Sequence, residues 1–388
     1  MCGIAGIYQS KGLSEDHGIR IKTMTDSLRH RGPDDCGFFY DEYLALGHTR
    51  LSILDLSENG RQPMVSKDGR YIISFNGEIY NYQELKEDLI VKGYTFRSQT
   101  DTEVLLSMFM EHGPSCLKLL NGMFAFVVYD QVQKTLFIAR DRFGMKPLFY
   151  TSTTHDEWMF SSEIKALRKV MRGPLKVNEK AVLNYFIFNR TCVDNQTFFE
   201  DIHLFPKGHY ATIQDGKMVL RRWWQLEDCI NQYEENEEDA VVHLEGLLKS
   251  ALRIHLRCDV RYGLSLSGGM DSSILLGLFD ESHAQRKDVL KTFTMLQEDP
   301  SINEGVMVEA LAGRFAFERH DVLISAEDLE RSLEQFILTH EQPMLNPSYV
   351  AQFLLMRKVK SENVKVLLTG QGGDEVFAGY PYLYAYYL

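Results

Sequence analysis

Apolar and polar positions along the chain alternate like strands in some segments and recur like helices in others. A helix-like segment runs from about Asp16 to Leu28, and His48 to Ile53 alternates as a strand does. A further strand ends at Asn76-Gly77, with a helix-like run from Glu84 to Lys92 behind it that argues against a two-residue hairpin. Gly122 to Asp130 and Leu136 to Asp141 are apolar strands separated by a short polar turn, which predicts a core hairpin. Together these segments predict an α+β sandwich of antiparallel sheets.

From Gly173 to Trp224 the pattern gives one helix, Glu179 to Phe188, and a hairpin turning at Gln214-Asp215-Gly216, with no catalytic constellation. A polar, acidic run from Gln232 to Asp239 precedes an apolar-periodic helix from Ala240 to about Leu256. The main boundary is therefore expected between Gln225 and Asp239, leaving domains of 1–225 and 239–388. Beyond it, strands and helices alternate: a strand ending at Leu266, then Leu290 to Met295, a helix Gly305 to Phe315, a strand Arg319 to Ile324, helices through Lys360, and a strand Val364 to Leu368. Such alternation predicts an α/β doubly wound parallel sheet, with ligands at the carboxyl ends of strands near the switch point.

Composition narrows the picture. With 388 residues and 44% hydrophobic, the chain can build two or three cored domains. A net charge of -12 disfavours nucleic acid or an anionic membrane as partner. The N-terminus lacks the basic flank and apolar run of a signal peptide, and the longest apolar run, near Met123 to Tyr129, is far below a membrane span. A soluble, cytoplasmic protein is expected. Six cysteines without Cys-x-x-Cys pairing argue against zinc or a disulfide framework.

The densest chemistry lies in Gly263 to Ser273, where a strand runs into Ser267-Gly268-Gly269 and then a helix start. Glycines let backbone N–H groups approach a phosphate at a helix N-terminus, and Ser267, Ser272 and Ser273 add hydroxyls. Asp271 would repel phosphate unless a divalent cation lay between them, so the stretch implies nucleotide plus magnesium. The lysine and spacing of a P-loop are absent, which disfavours a P-loop kinase or GTPase.

At the other end, Cys2 follows the initiator methionine directly. Trimming Met1 would leave an α-amine beside a thiol, so that one residue carries nucleophile and base. Asn76 and Gly77 offer a side-chain amide and an unhindered backbone N–H, the parts of an oxyanion hole. Arg50 offers a guanidinium fork to a carboxylate.

Cys2-Gly3-Ile4-Ala5-Gly6, Arg29 to Asp34, His48 to Ile53, Ser74 to Asn81, Arg140 to Leu148 and Ser161 to Leu167 resemble the blocks of class II glutamine amidotransferases. Ser267 to Ser273 resembles the pyrophosphate loop of adenylate-forming enzymes. In this order, over nearly the whole chain, they resemble glutamine-hydrolysing asparagine synthetases. The resemblance implies an N-terminal-nucleophile (Ntn) hydrolase sandwich followed by an adenine nucleotide α-hydrolase (PP-loop) sheet. It implies an ATP-dependent carbon–nitrogen ligase in which ammonia from L-glutamine crosses a tunnel to a β-aspartyl-adenylate made from L-aspartate. It assigns the glutamine carboxylate to Arg50 and its pocket to Leu51 and Ile53. The substrate's ammonium falls to Glu78 and Asp101, alongside Asn76 and Gly77. ATP is bordered by Leu266, Ser267, Gly268, Gly269, Asp271, Ser272, Ser273, Met295, Thr369 and Gly370, and Mg2+ by Asp271 and Asp374. A homodimer is compatible with it. The Arg140 and Ser161 blocks are expected to pack where the first domain meets the second.

Two features depart from the family. Gln371 stands where many members carry glutamate, which leaves room for another carboxylate acceptor such as a uronic-acid sugar. The run Phe377 to Leu388 is too aromatic for a solvated tail, and the family continues past it, so a truncated sequence is expected. A chain that truly ended there would leave a bare glutaminase or an ATP-binding module as the other reading.

Overall fold

The computed structural model describes residues 1–154, 156–230, 236–283, 289–299 and 303–382. Part of the acidic run before the long helix, and the last six residues of the aromatic C-terminal stretch, lie outside them. The chain divides into two compact units, Met1–Glu234 and Glu235–Leu388.

The first unit opens with β1 (Gly3–Gln9), α1 (His17–Asp26), β2 (Asp35–Tyr40), β3 (Leu44–Arg50), β4 (Met64–Val65) and β5 (Tyr71–Ile79). It continues with α2 (Tyr82–Val91), α3 (Asp101–His112), β6 (Gly122–Asp130), β7 (Thr135–Arg140), β8 (Phe149–Thr154), β9 (Glu157–Ser161) and α4 (Ile164–Arg168). The last elements are α5 (Glu179–Phe188), β10 (His203–Leu204), β11 (His209–Gln214) and β12 (Lys217–Arg222). Two six-stranded sheets result, ordered β10-β8-β9-β1-β3-β2 and β12-β11-β7-β6-β5-β4, with antiparallel pairings throughout.

Alternating side chains explain the layers. One face of each sheet joins a shared core of Ile4, Tyr8, Leu46, Val127 and Tyr129. The outer face of the second sheet packs on α2 and α3 through Phe75, Leu85 and Leu105, and that of the first packs on α1 and α4 through Ile7, Met24 and Leu167. Helix α1 can lie flat on β3 because Gly47 has no Cβ, which would overlap Thr25 Oγ1. A buried bidentate pair, Arg20 with Glu157 at 2.7 and 3.0 Å, also ties α1 to β9. The expected antiparallel sandwich is thus an αββα stack. The hairpin β11–β12 turns on Asp215 and Gly216, both at positive φ, as the Asp-Gly pair predicts.

The second unit comprises α6 (Glu237–His255), β13 (Tyr262–Ser265), α7 (Met270–His283), β14 (Leu290–Gln297), α8 (Gly305–Ala312), β15 (Phe317–Ile324), α9 (Ala326–His340), α10 (Ser348–Ser361), β16 (Val366–Leu368) and α11 (Gly373–Phe377). Its parallel sheet is ordered β15-β14-β13-β16. From β13 the chain moves outward through β14 and β15, then returns to the other side as β16, so the switch point lies between β13 and β16. No helix among the described residues is long and apolar enough to cross a membrane.

Candidate active sites in the two units

In the first unit the layer between the sheets turns polar at one end. Leu44, Leu46, His48 and Arg50 share a face of β3, and Ile72, Ser74, Asn76 and Glu78 share the facing side of β5. Leu44, Leu46 and Ile72 belong to the shared core. Beyond them His48 Nδ1 lies 3.0 Å from Ser74 Oγ, and burial lowers the imidazole's pKa to about 3, so the ring is neutral. Next comes Asn76, whose Nδ2 is buried with no partner among the described residues. Strand β1 begins at this end, with Gly3 opposite Thr49 and Cys2 just before it.

The Cys2 thiol accepts from Leu51 N–H at 3.4 Å and lies 3.8 Å from Leu51 O. Its carbonyl accepts from Arg31 Nε at 2.8 Å, and Arg31 Nη1 pairs with buried Glu163 at 2.8 Å. His30 at 2.9 Å and Lys165 at 2.9 Å complete the shell of Glu163. Burial alone would raise that carboxyl's pKa, but these partners hold it down to about 2. The Met1 amine donates to Arg31 O at 3.1 Å, and burial lowers its pKa to about 5. The same burial pushes the Cys2 thiol upward.

Asn76-Gly77 lies inside β5 rather than at a strand end. Gly77 allows this, because a Cβ there would overlap the Met123 carbonyl oxygen and crowd the Phe75 ring. Phe124 gives both its N–H and its C=O to Asp141, at 3.1 and 2.8 Å, so Gly77 opposite it is a non-hydrogen-bonded pair. The Gly77 N–H therefore points off the sheet on the same side as Phe75 N, which meets Gln62 Oε1 at 2.7 Å, and Ile79 N, which meets Asp101 Oδ2 at 2.9 Å. Asn76 Nδ2, buried with no partner among the described residues, is thus followed directly by a backbone N–H that points away from β6.

Strand β3 stops at Arg50 instead of running on to Ile53. Arg50 explains the stop: its guanidinium donates to the carbonyls of Leu54 (3.1 Å), Asp55 (2.5 Å) and Ser57 (2.9 Å), wrapping the following loop around itself. Leu51 and Ile53 thus sit on that loop. Glu78 and Asp101 form a buried carboxylate pair. Burial, reinforced by Asp101, raises the Glu78 pKa well above its ordinary value, and burial raises Asp101 to about 7.

The sequence reading missed Lys146. The Arg140 block is held within the first unit by its own contacts. The Asp141 carboxylate accepts from four backbone N–H groups, those of Phe124, Phe143, Met145 and Lys146, at 2.9 to 3.1 Å. Arg140 holds the carbonyls of Gly144, Lys146 and Phe205. The loop so fixed buries Lys146. The Ser161 block is internal too: Ser162 exchanges bonds with Ile4, and Glu163 anchors Arg31.

In the second unit, Ser267, Gly268 and Gly269 follow β13, and Thr369 to Gly372 follow β16, at the carboxyl ends flanking the switch point. Gly268 has φ +77, and Gly269 N donates to Ser267 Oγ at 3.2 Å. Ser267 and Ser272 hydroxyls are 3.0 Å apart, and Ser273 enters the first turn of α7. Leu266 is buried, its N–H bonded to Phe293 O at 2.9 Å, and Met295 lies two residues further along β14. The second loop sits directly on Asp271: a Cβ at Gly373 would overlap Asp271 Oδ2, and one at Gly370 would lie 2.9 Å from Asp271 Cβ. Asp374 is the next residue. Its Oδ1 lies against Gly379, and the two carboxylates are donors of the kind magnesium takes one or two at a time alongside phosphates and water. No larger cluster of ligating side chains occurs among the described residues.

Residues 1–224 match the family model described as a glutamine amidotransferase domain, and residues 243–388 match asparagine synthase. Asparagine synthetase [glutamine-hydrolyzing] 1 of Bacillus subtilis is 34% identical over 98% of this chain and 59% of its own length. A Methanocaldococcus jannaschii relative provisionally given the name asparagine synthetase [glutamine-hydrolyzing] 2 is 33% identical over 98% of this chain and 76% of its own. The chain belongs to the glutamine-hydrolysing asparagine synthetase family. It spans between about half and two thirds of the length of the first curated relatives it matches. Among solved structures, a glutamine phosphoribosylpyrophosphate amidotransferase from B. subtilis overlaps 83% of this chain and 81% of its own, at 16% identity and a TM-score of 0.43.

As a member of this family, the chain gathers its expected residues into two groups. Cys2, Arg50, Leu51, Asn76, Gly77, Glu78 and Asp101 collect at the polar end of the sandwich. Leu266, Ser267 to Ser273, Thr369, Gly370 and Asp374 collect at the switch point. Arg31, Lys146 and Glu163 lie in quoted blocks, yet a buried charge leaves no periodic signal in a sequence.

Proposed function

We propose that this chain is a glutamine-dependent, ATP-driven amide ligase whose first unit releases ammonia from L-glutamine and whose second unit activates the β-carboxylate of L-aspartate, yielding L-asparagine, L-glutamate, AMP and diphosphate. The observation that carries it is the Cys2 thiol beside Leu51 N–H, at the layer end where Asn76 Nδ2 is buried without a partner among the described residues and the Gly77 N–H points away from β6.

With Met1 removed, the thiol proton passes to Cys2's own amine as sulfur attacks the amide carbon. Asn76 Nδ2 and Gly77 N–H take the oxyanion charge, which no group of the fold competes for. The amine returns the proton to departing ammonia, and water hydrolyses the thioester. Arg50 takes the substrate carboxylate, and Glu78 with Asp101 takes its ammonium. In the second unit, Ser267 to Ser273 and Thr369-Gly370 hold the nucleotide. Asp271 and Asp374 would hold magnesium, which when bound neutralises pyrophosphate charge.

The test incubates the chain with amide-15N glutamine, ATP, magnesium and aspartate, or a uronic acid in its place, and follows product mass and pyrophosphate. Labelled asparagine with stoichiometric AMP is expected. Labelled ammonia alone overturns the ligase half, and a labelled sugar amide overturns the acceptor. Cys2→Ala should abolish use of glutamine while ammonium chloride still supports synthesis.

A further inference from the structure

Most charges around the Cys2 thiol are already spoken for. Arg31 is neutralised by Glu163, which also holds His30 and Lys165. The Asp141 carboxylate is saturated by four backbone N–H groups. Asp101 accepts from Ile79 N–H and repels Glu78. Lys146 differs. Only 7% of it is exposed, and its backbone is clamped from both sides, its N–H by Asp141 Oδ2 at 3.0 Å and its carbonyl by Arg140 Nε at 2.7 Å. No carboxylate pairs with its ammonium within ion-pair distance among the described residues. Burial pushes the lysine's own pKa down while Glu78 and Cys2 hold it up, and its charge acts in turn on the thiol, the terminal amine and Glu78.

A buried, rigidly mounted lysine without an ion pair is costly unless something nearby uses its charge. The charged groups that interact with it are Cys2 and the amine from the start of β1, Arg31 from the loop after α1, Glu78 from β5, and Asp141 from its own loop, whose Oδ2 also holds Phe124 N–H opposite Gly77. The thiol gains negative charge when it attacks, and Glu78, whose charged form burial and Asp101 disfavour, needs a cation to stay ionised.

We propose that Lys146 is a positioning residue for hydrolysis at Cys2, its ammonium supplying the positive charge that offsets the Cys2 thiolate and the Glu78 carboxylate. This rests on the reading of the first unit as a glutaminase. Burial pushes the thiol up while Lys146 acts in the opposite direction, on the thiol and on the terminal amine alike. Removing the cation should therefore move both groups' titrations to higher pH.

The experiment measures iodoacetamide alkylation of Cys2 against pH, by peptide mass spectrometry on the full chain, for wild type, Lys146→Met and Lys146→Arg. The methionine variant should shift the midpoint upward by about one unit and lower glutaminase kcat/KM about tenfold at pH 7. The arginine variant, which keeps the charge, should stay within a few tenths of a unit. Lys146→Gln serves where the methionine variant does not fold, with the same upward shift expected. An unmoved midpoint in a folded neutral variant overturns the role of Lys146. Alkylation reads the thiol whether or not glutamine is cleaved, so a shifted midpoint without wild-type glutaminase activity would reject the enzyme reading and leave the charge balance standing.

Discussion

At the scale of single residues, the arrangement separates groups the fold uses from groups it leaves spare. Asn76 Nδ2 is buried and unpaired, a state that costs about 1–3 kcal/mol unless a ligand supplies the acceptor. Asn76→Ala should lower glutaminase kcat about 10²–10³-fold with little change in thermal stability, as steady-state kinetics and a melt would register. Asp101 gives a pH signature. Its pKa rises to about 7 in the fold, so below that pH the carboxyl is protonated and, in its proposed role, would bind the glutamine ammonium less well. The KM for glutamine should climb as pH falls from 8 to 6, and Asp101→Asn should raise KM at pH 8 and flatten the profile. The same shift makes this carboxyl favour the folded state fully below about 3.8, an advantage lost as pH rises through 7.

At the scale of elements, the loops after β13 and β16 depend on each other's missing side chains. Gly373→Ala would drive a methyl group into the Asp271 carboxylate. Nucleotide binding should weaken at least tenfold, read by fluorescent ATP-analogue titration, while glutamine hydrolysis in the other unit stays unchanged. Most elements were legible in advance. The helix Glu179–Phe188 and the hairpin β6–β7 announce themselves through periodicity and turn chemistry, as do β14 and β15. What escaped was tertiary. Nothing in His48 to Ile53 says that Arg50 will gather three carbonyls and curl the chain, and nothing in Asn-Gly says that a close-packed Phe124 will keep it within a strand. The charged supports Arg31, Lys146 and Glu163 were equally hidden, because their partners lie far away in sequence.

At the scale of the whole molecule, Glu163 connects catalysis to stability. Its pKa falls from 4.5 to about 2 on folding, so it stabilises the fold above about 4.5 and the contribution fades as pH drops through 2. The shift corresponds to about 3 kcal/mol at neutral pH. Glu163→Gln should cost a similar amount, since Arg31 would keep its charge without a counter-ion, and should flatten acid unfolding of the first unit between pH 4.5 and 2, followed by tryptophan fluorescence.

The anchor also dictates the order of events during synthesis. Strand β1, which follows the thiol directly, is flanked in its sheet by β3 and β9, and the carboxylate that steadies Arg31 is residue 163. The first hundred residues contain β3 but neither β9 nor the carboxylate that pairs with Arg31. The surroundings of the thiol therefore assemble only through a long-range closure, with Ile4 and Ser162 bonded across a separation of 158 residues, and a shorter nascent chain lacks them.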